Sequence, residues 1–216
     1  MSHEKSASTR RYTSSLRAEQ AAQTRAKVLD AARELFSERG YTATTMPEIA
    51  RRAGVSTETV QTHGPKVALL KAALDAFSFG GTEGTDARET DLGRQLLTVE
   101  SAQEAAAMTA QVLAHVNAET QGLWLAFSEA ARGDADVATQ FRAYVAGVRA
   151  QNEILVQEWS ARGYLRTDVP ADELVDRAVL IGSVELYDRA VRLGGATQDE
   201  YVRTVAGLFL AGLTPA

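Results

Sequence analysis

Apolar residues recur at helical spacing along most of this chain of 216 residues. The first amphipathic pattern covers residues 21–39 and is followed by Gly40 and Tyr41, which mark the end of a predicted helix. Its apolar positions fall on one face: Val28, Ala32, Leu35 and Phe36. A helix predicted from Pro65 to about Phe77 has the same kind of buried face, formed by Val67, Leu70, Leu74 and Phe77.

The second half of the chain shows only helical periodicity. No segment combines enrichment in β-branched residues with period-two alternation, so the predicted fold is all-α. Gly133-Asp134 and Gly194-Gly195 break the pattern. The predicted helices cover residues 91–99, 102–118, 120–132, 135–162, 171–193 and 199–213.

The segment between the first two patterns has the spacing of a helix-turn-helix. Ala50 supplies the small side chain that a close crossing of two short helices needs, and Gly54 tolerates the positive φ at which the first of them stops. Val60 is predicted to pack back against Ile49 and Ala53. The second helix is then held at a steep angle, with its polar face free to enter a DNA major groove.

Both short helices have recognisable starts. Thr45 and Glu48 form a capping box, and Pro47 in the first turn has no amide hydrogen to lose. Ser56 caps the second helix. On its own, an Ala-x3-Gly-x5-Val match is better explained by a helical hairpin in which these residues serve only packing. Here the same spacing occurs together with two helix caps and a preceding amphipathic helix. The combination indicates a three-helix DNA-binding unit followed by a fourth helix.

These residues resemble the N-terminal signature of the tetracycline repressor (TetR) family, over about residues 20–75. The resemblance implies a homodimeric, all-helical transcriptional regulator, usually a repressor, that a small ligand in a C-terminal domain releases from its operator. It also adds Arg25 to the DNA-binding residues. The matching positions are Arg25, Ala31, Ala32, Leu35, Phe36, Gly40, Tyr41, Thr45, Ile49, Ala50, Ala53, Gly54, Val55, Ser56, Thr59, Val60 and Lys66.

One segment departs from the family pattern. Many members carry a Tyr at the position of Gln61 and a Phe shortly after it, whereas residues 60–66 here read Val-Gln-Thr-His-Gly-Pro-Lys. The change removes a typical phosphate contact and a packing aromatic ring. It puts the usual DNA affinity in question, but not the fold.

The helix-turn-helix geometry predicts which side chains touch DNA. Helix starts present free amides and hydroxyls to phosphate, whereas the exposed middle of the second helix lies deepest in the groove. Phosphate contacts are predicted for Thr45, Ser56, Thr57 and Lys66. Base contacts are predicted for Thr59, Gln61 and Thr62, and the Gln61 amide is suited to pair with adenine.

A ligand pocket among the helices of the second half is a further candidate site. A polar group on an apolar face needs a partner, which a ligand supplies, and His115 and Asn152 are such groups. For any single aromatic residue, plain core packing is the more common explanation. The candidate lining residues are Met108, Val112, His115, Trp124, Phe127, Phe141, Tyr144, Val148 and Asn152. Since few of these positions are charged, the predicted effector is small and apolar or aromatic.

The net charge of −5 is divided unevenly along the chain. Residues 1–71 contain twelve Lys or Arg and seven Asp or Glu, which gives +5, whereas residues 72–216 contain eleven and twenty-one, which gives −10. A positive N-terminal part attracts the phosphate backbone, and an acidic remainder is repelled by it.

Motifs for catalysis or metal binding are scarce. The chain has no Cys and no Gly-x-Ser-x-Gly elbow, and its three His residues lie far apart in sequence. The Gly cluster of residues 79–85 is not followed by Gly-Lys-Ser/Thr and reads as a linker. We therefore expect no cofactor, no metal and no enzymatic activity, although a catalytic triad can assemble without leaving a sequence motif.

The predicted organisation has three parts: an N-terminal arm (1–18), a DNA-binding domain (19–78) and a ligand-binding and dimerisation domain (86–216). A disordered tail with incidental charge is an equal alternative for the arm. No signal peptide and no run of membrane-spanning length is present, so the expected location is the cytoplasm. The last two helices are apolar on more than one face, which predicts a homodimer joined through residues such as Leu208 and Phe209.

Three functions fit these patterns to different degrees. The favoured one is a dimeric repressor that leaves a palindromic DNA operator when a small apolar or aromatic effector binds. The second is a helical small-molecule-binding protein whose altered segment after Val60 has weakened specific DNA binding. The third, an enzyme in a helical bundle, would need strongly perturbed titratable groups in a pocket, for which the sequence gives no indication.

Overall fold

A computed structural model describes residues 4–77 and 86–215 of the chain, with side chains described from residue 16 onward. Helices joined by turns make up these ranges, which confirms the all-α prediction. The predicted linker at residues 79–85 lies outside them. The helices are α1 (Glu4–Ala43), α2 (Met46–Ala53), α3 (Thr57–Gln61), α4 (Lys66–Phe77), α5 (Asp91–Leu97), α6 (Ala102–Gly133), α7 (Ala135–Ala161), α8 (Ala171–Ile181), α9 (Val184–Tyr187) and α10 (Gln198–Leu213).

Helix α1 begins earlier than the apolar pattern predicted. Residues 4–18, which we expected to form an arm, belong to this helix. No Gly or Pro interrupts the chain before Gly40, and its many Ala, Glu and Arg residues favour helix even without an apolar stripe. Gly40, with φ 76° and ψ 175°, ends the regular part. The Thr44 hydroxyl then lies 2.8 Å from the Gly40 carbonyl oxygen and 3.1 Å from that of Leu35.

Helix α6 is continuous, whereas two helices separated near residue 119 were predicted. Residues 118–120 are Ala-Glu-Thr. Because neither Gly nor Pro is among these three residues, the helix continues through them. The Thr120 hydroxyl donates to the Val116 carbonyl at 2.7 Å, which satisfies its own hydrogen-bonding group inside the helix.

The single helix predicted over residues 171–193 is interrupted. α8 ends at Ile181, and Ser183 starts α9 because its side chain accepts a hydrogen bond from the Leu186 amide at 3.3 Å. A π-helical segment, Asp188–Leu193, follows α9. Ser is more favourable at a helix cap than inside a helix. The apolar pattern alone did not reveal the interruption at this residue.

Helices α1 and α4 pack against α6, which lies at the centre of the molecule, and α2 and α3 are attached through α1. One hydrophobic cluster contains Phe36 of α1, Leu70 of α4, and Leu123 and Phe127 of α6. At the crossing of α1 and α6 the backbones approach so closely that a Cβ atom added to Gly122 would lie 2.5 Å from the Ser37 Cβ. The N-terminal helices therefore share a core with the body of the protein.

Candidate functional site

The turn between α2 and α3 has the geometry that the sequence predicted. Gly54 adopts φ 69° and ψ 34°, a left-handed conformation that a residue with a Cβ atom rarely adopts. The Val55 amide donates to the Ala50 carbonyl at 3.0 Å, which closes the end of α2. The Ser56 hydroxyl accepts from the Thr59 amide at 3.1 Å and starts α3. Caps on both sides of the turn thus set the angle between the two helices.

The start of α2 is also capped as predicted. The Glu48 carboxylate accepts hydrogen bonds from the Thr45 amide at 3.0 Å and from the Thr45 hydroxyl at 2.8 Å. These bonds from Thr45 lower the pKa of Glu48 below its ordinary value. The apolar face of the unit is fully covered, since Ile49, Ala50 and Val60 are buried in the cluster that also holds Phe36.

The predicted DNA-contacting side chains differ in how free they are. The hydroxyls of Thr45, Ser56 and Thr62 each make a hydrogen bond within the unit, the last to the Thr59 carbonyl at 2.7 Å. Thr57 and Thr59 are half-buried. Gln61 is exposed at the last position of α3. The geometry thus leaves Gln61 as the freest of the predicted base-contacting side chains.

Lys66 at the start of α4 is tied to the end of α1. Its ammonium donates to the carbonyl oxygens of Tyr41 at 2.8 Å and Thr44 at 3.0 Å, and lies 4.1 Å from the centroid of the Tyr41 ring. Burial lowers the pKa of Lys66. An ammonium has three donors, so these contacts leave one N–H for a phosphate.

Exposed cations around the helix-turn-helix fall into two groups. Arg52 pairs with Glu34 and Glu38 of α1, and Arg39 pairs with Glu48 at 2.9 Å. By contrast, no ion pair within the described residues involves Arg25 or Arg51, both of which are exposed. Arg51 was not among the predicted contacts, because sequence alone did not distinguish it from the neutralised Arg52.

The body contains a cavity of about 480 Å³ between α6, α7 and the break between α8 and α9. α6 and α7 form an antiparallel hairpin, so Trp124 faces Tyr144 at one end, with ring centroids 6.2 Å apart. Trp159 and Phe209 line the other end and contact each other edge to face at 5.6 Å. The lining along α6 extends from Thr109 to Trp124, which is about 22 Å at the rise of an α-helix.

Four of the nine residues predicted to form a ligand pocket line this cavity, and the other five lie elsewhere. Trp124, Tyr144, Val148 and Asn152 line the cavity. Val112 and Phe127 are buried in hydrophobic clusters against which Met108 and Phe141 pack, and His115 is exposed. The predicted stripe of Met108, Val112 and His115 is displaced by one residue from the observed stripe of Thr109, Leu113 and Val116, a rotation of about 100°.

Polar groups that the sequence analysis missed lie along the cavity. The Thr109 hydroxyl is buried, with no hydrogen-bond partner among the described residues. The Asn117 amide donates to the Gly182 carbonyl at 3.3 Å and the Tyr201 hydroxyl at 3.1 Å. The Glu185 carboxylate accepts from Trp124 Nε1 at 2.8 Å. The rule that singled out His115, a polar residue at helical spacing among apolar ones, applies equally to Thr109 and Asn117.

Within the described ranges, no group of three or more His, Asp or Glu side chains could hold a metal ion. None of the helices in the same ranges is long and apolar enough to cross a membrane.

Comparison with known families supports the geometry of the N-terminal unit. Residues 28–63, from the middle of α1 to the end of the α3 turn, match the family model described as bacterial regulatory proteins, tetR family. Over these residues the chain is similar to the DNA-binding part of TetR-family regulators. No curated protein matches the chain.

Solved structures share this fold over most of the chain. NalD of Pseudomonas aeruginosa, the secondary repressor of the MexAB-OprM multidrug efflux pump, matches with a TM-score of 0.63 and 19% identity, covering 90% of this chain and 98% of that one. FadR of Bacillus subtilis in complex with stearoyl-CoA matches with a TM-score of 0.66 and 16% identity, covering 86% and 97%. The SmeT–triclosan complex gives 0.63 and 16%, covering 89% and 92%. The chain thus has the fold of a TetR-family transcriptional regulator.

Proposed function

We propose that this protein is a ligand-responsive DNA-binding regulator, most simply a repressor that a small, largely apolar or aromatic effector releases from a palindromic operator. In this proposal the helix-turn-helix of α2 and α3 binds DNA. The cavity between α6 and α7 binds the effector. No catalytic step is required of any residue.

The observation that carries the proposal is that α4 reaches both sites. Lys66 at its start holds the carbonyls of Tyr41 and Thr44 beside the helix-turn-helix, and Leu74 lines the cavity. The two residues are eight positions apart, which is about 12 Å along one rigid helix. A ligand that displaces Leu74 therefore moves the point at which α4 joins the DNA-binding unit.

The composition of the cavity supports an apolar effector. Its walls are mainly aliphatic and aromatic, with a small number of polar groups that can orient a ligand. The Thr109 hydroxyl, which has no partner among the described residues, supports binding of a ligand in the cavity. A buried hydroxyl without a hydrogen bond destabilises the protein, and a ligand can supply the missing hydrogen-bond partner. Among proteins of similar fold, SmeT is seen with triclosan and FadR with stearoyl-CoA, both of which carry large apolar groups.

DNA binding is tested by selecting duplexes from a random library with the full-length chain. We expect enriched sequences with two inverted half-sites, and an affinity that falls steeply with salt because phosphate contacts release counterions. Recovery of no enriched sequence would contradict a sequence-specific regulator.

Effector binding and DNA release are tested together with a cavity-filling variant. Val148→Trp places a large ring into the cavity, and Ala146→Trp places the same ring on the exposed side of α7 outside the lining. We expect that a compound found by thermal shift releases DNA from the wild type and from Ala146→Trp but not from Val148→Trp. Equal release from all three would exclude the cavity as the effector site.

We also propose that the chain is a homodimer. Leu208 on α10 is 42% exposed, and Leu180 on α8 is 70% exposed. Two half-sites of a palindrome require two such units related by a two-fold axis. Phe209, which we expected beside Leu208 at the interface, is instead buried against Trp159 within one subunit.

The alternative, a helical ligand-binding protein with weakened specific DNA binding, is favoured by one observation. α3 is only five residues long, ends at Gln61 and carries the exposed acidic Glu58. Like-charge repulsion between Glu58 and phosphate would lower DNA affinity. A weak, salt-dependent association with no sequence preference, combined with effector binding in the cavity, would favour this alternative.

A further inference from the structure

Glu185 is the single Asp, Glu, Lys or Arg in the cavity lining formed by residues 86–215 and Leu74. It lies on α9, just beyond the break at Gly182 and Ser183 that brings α9 to the cavity. Its Oε1 accepts a hydrogen bond from the indole nitrogen of Trp124 at 2.8 Å, so the carboxylate is held at the edge of that ring. The residue is exposed, which places it where the cavity meets solvent.

Other carboxylates near this end of the molecule have a cationic partner. Glu119 pairs with Arg33 at 2.9 Å, and Asp188 pairs with Arg192. Glu185 forms no ion pair within the described residues, and Trp124, a neutral donor, satisfies one oxygen only. The cavity thus has at its open end a negative charge for which the described residues supply no ion pair.

Aromatic rings surround the same end. Trp124 contacts Phe141 edge to face at 5.1 Å, and the Tyr144 ring lies 6.2 Å from Trp124. The faces of Trp and Tyr rings attract cations, most strongly where water is partly excluded. A carboxylate beside such rings is the combination that recognises an alkylated ammonium group.

The opposite end of the cavity suits an apolar chain. Leu96, Trp159 and Phe209 line it, and the Trp159 indole nitrogen already donates to the Leu96 carbonyl at 3.2 Å. The distance from this end to Trp124, about 22 Å along α6, is longer than a compact aromatic molecule. An elongated ligand with one charged end matches the shape and the charge distribution.

We propose that the effector is a cationic amphiphile, with a positively charged head group against Glu185, Trp124 and Tyr144 and an apolar tail directed toward Trp159 and Phe209. This proposal rests on the proposed function, since it assumes that the cavity is the effector site. It goes beyond it by assigning the charge, the shape and the orientation of the ligand.

The test uses three probes with one decyl chain and different head groups: decyltrimethylammonium, decanol and decyl sulfate, each below its micelle concentration. Isothermal titration of the full-length chain is expected to give the tightest binding for decyltrimethylammonium and the weakest for decyl sulfate. Because the three tails are identical, the differences in affinity report the head group.

Two variants locate the effect. Glu185→Gln keeps a carbonyl oxygen for the Trp124 indole and removes the charge, and we expect it to weaken decyltrimethylammonium binding about fivefold and leave decanol unchanged. Glu129→Gln removes the same charge from an exposed position of α6 outside the lining and is expected to change neither.

The possible failures are distinguishable. If decanol or decyl sulfate bound as tightly as decyltrimethylammonium, or if Glu185→Gln and Glu129→Gln had the same effect, the cationic preference would be wrong while the cavity remained a ligand site. Failure of all three probes to bind would overturn this proposal. The proposed function would be affected only if Val148→Trp also failed to change the response of DNA binding to its effector.

Discussion

The ammonium of Lys66 lies 4.1 Å from the centre of the Tyr41 ring and donates to the Tyr41 carbonyl at 2.8 Å. This contact joins the start of α4 to the residue that follows the kink at Gly40. It gives Lys66 a part in the stability of the DNA-binding unit in addition to the phosphate contact that we propose for it.

Lys66→Ala is expected to lower both stability and DNA binding. The loss of two hydrogen bonds from a charged donor and of the contact with the Tyr41 ring should cost about 1–2 kcal/mol of unfolding free energy. Loss of the phosphate contact should weaken binding to all sequences alike and reduce the slope of log affinity against log salt by about one. Denaturant unfolding and anisotropy titrations measure the two effects. An unchanged salt slope would show that Lys66 acts on stability alone.

Gln61→Ala is expected to change sequence preference rather than general affinity. Gln61 is exposed at the end of α3, and its amide can pair with both hydrogen-bonding groups of adenine. Its removal should cost about 1–3 kcal/mol at one position of each half-site. Competition between selected duplexes that differ at single positions measures this. A uniform loss across all duplexes would instead indicate a backbone contact.

Thr109→Val is expected to stabilise the ligand-free protein by about 1 kcal/mol, because the isosteric change removes a buried hydroxyl that has no partner among the described residues. Thr120→Val is the matched control on the same helix. Its hydroxyl donates to the Val116 carbonyl, so its loss should not stabilise the protein. Urea unfolding compares the variants, and equal effects would mean that Thr109 is satisfied in solution.

Asp75 makes the stability depend on pH. The side chain is buried on α4 beside Lys71, with 3.4 Å between Nζ and Oδ2, and burial raises its pKa above the ordinary 3.8. Because its pKa is raised, Asp75 binds a proton more tightly in the native state than in the unfolded chain. The resulting contribution to the free energy of unfolding is complete below the pKa of the unfolded chain. It is lost as the pH rises through the pKa of the folded state.

The variant Asp75→Asn lacks this dependence. Relative to the wild type, its free energy of unfolding should therefore increase between pH 3.5 and pH 7. Urea unfolding at both pH values measures the difference. A difference that is constant with pH would contradict the raised pKa.

Leu208→Glu is expected to separate the proposed dimer into folded monomers. Leu208 is 42% exposed in the single chain, and burying an unpaired carboxylate at an interface costs about 3–5 kcal/mol. Ala146→Glu on α7 is the control for added charge. Sedimentation velocity measures the mass, and a monomeric wild type at micromolar concentration would contradict the dimer.

The helix-turn-helix could be predicted from sequence because its determinants are local. The Thr45 and Ser56 caps and the positive φ of Gly54 all depend on partners within a few residues. The division of charge between the two halves of the chain is likewise a property of the sequence alone. These features require no knowledge of which distant helices meet.

The cavity was predictable only in outline. The sequence showed aromatic and polar residues at helical spacing in the second half of the chain. Four of those predicted to form a pocket, Trp124, Tyr144, Val148 and Asn152, line the cavity. The tertiary structure alone decided that Thr109 rather than Met108 or His115 faces the cavity, that Phe209 is core, and that Glu185 reaches Trp124. α6 packs against α1, α4, α7 and α10, so it is apolar on several faces. When several faces of a helix are apolar, the sequence pattern does not show which of them lines the cavity.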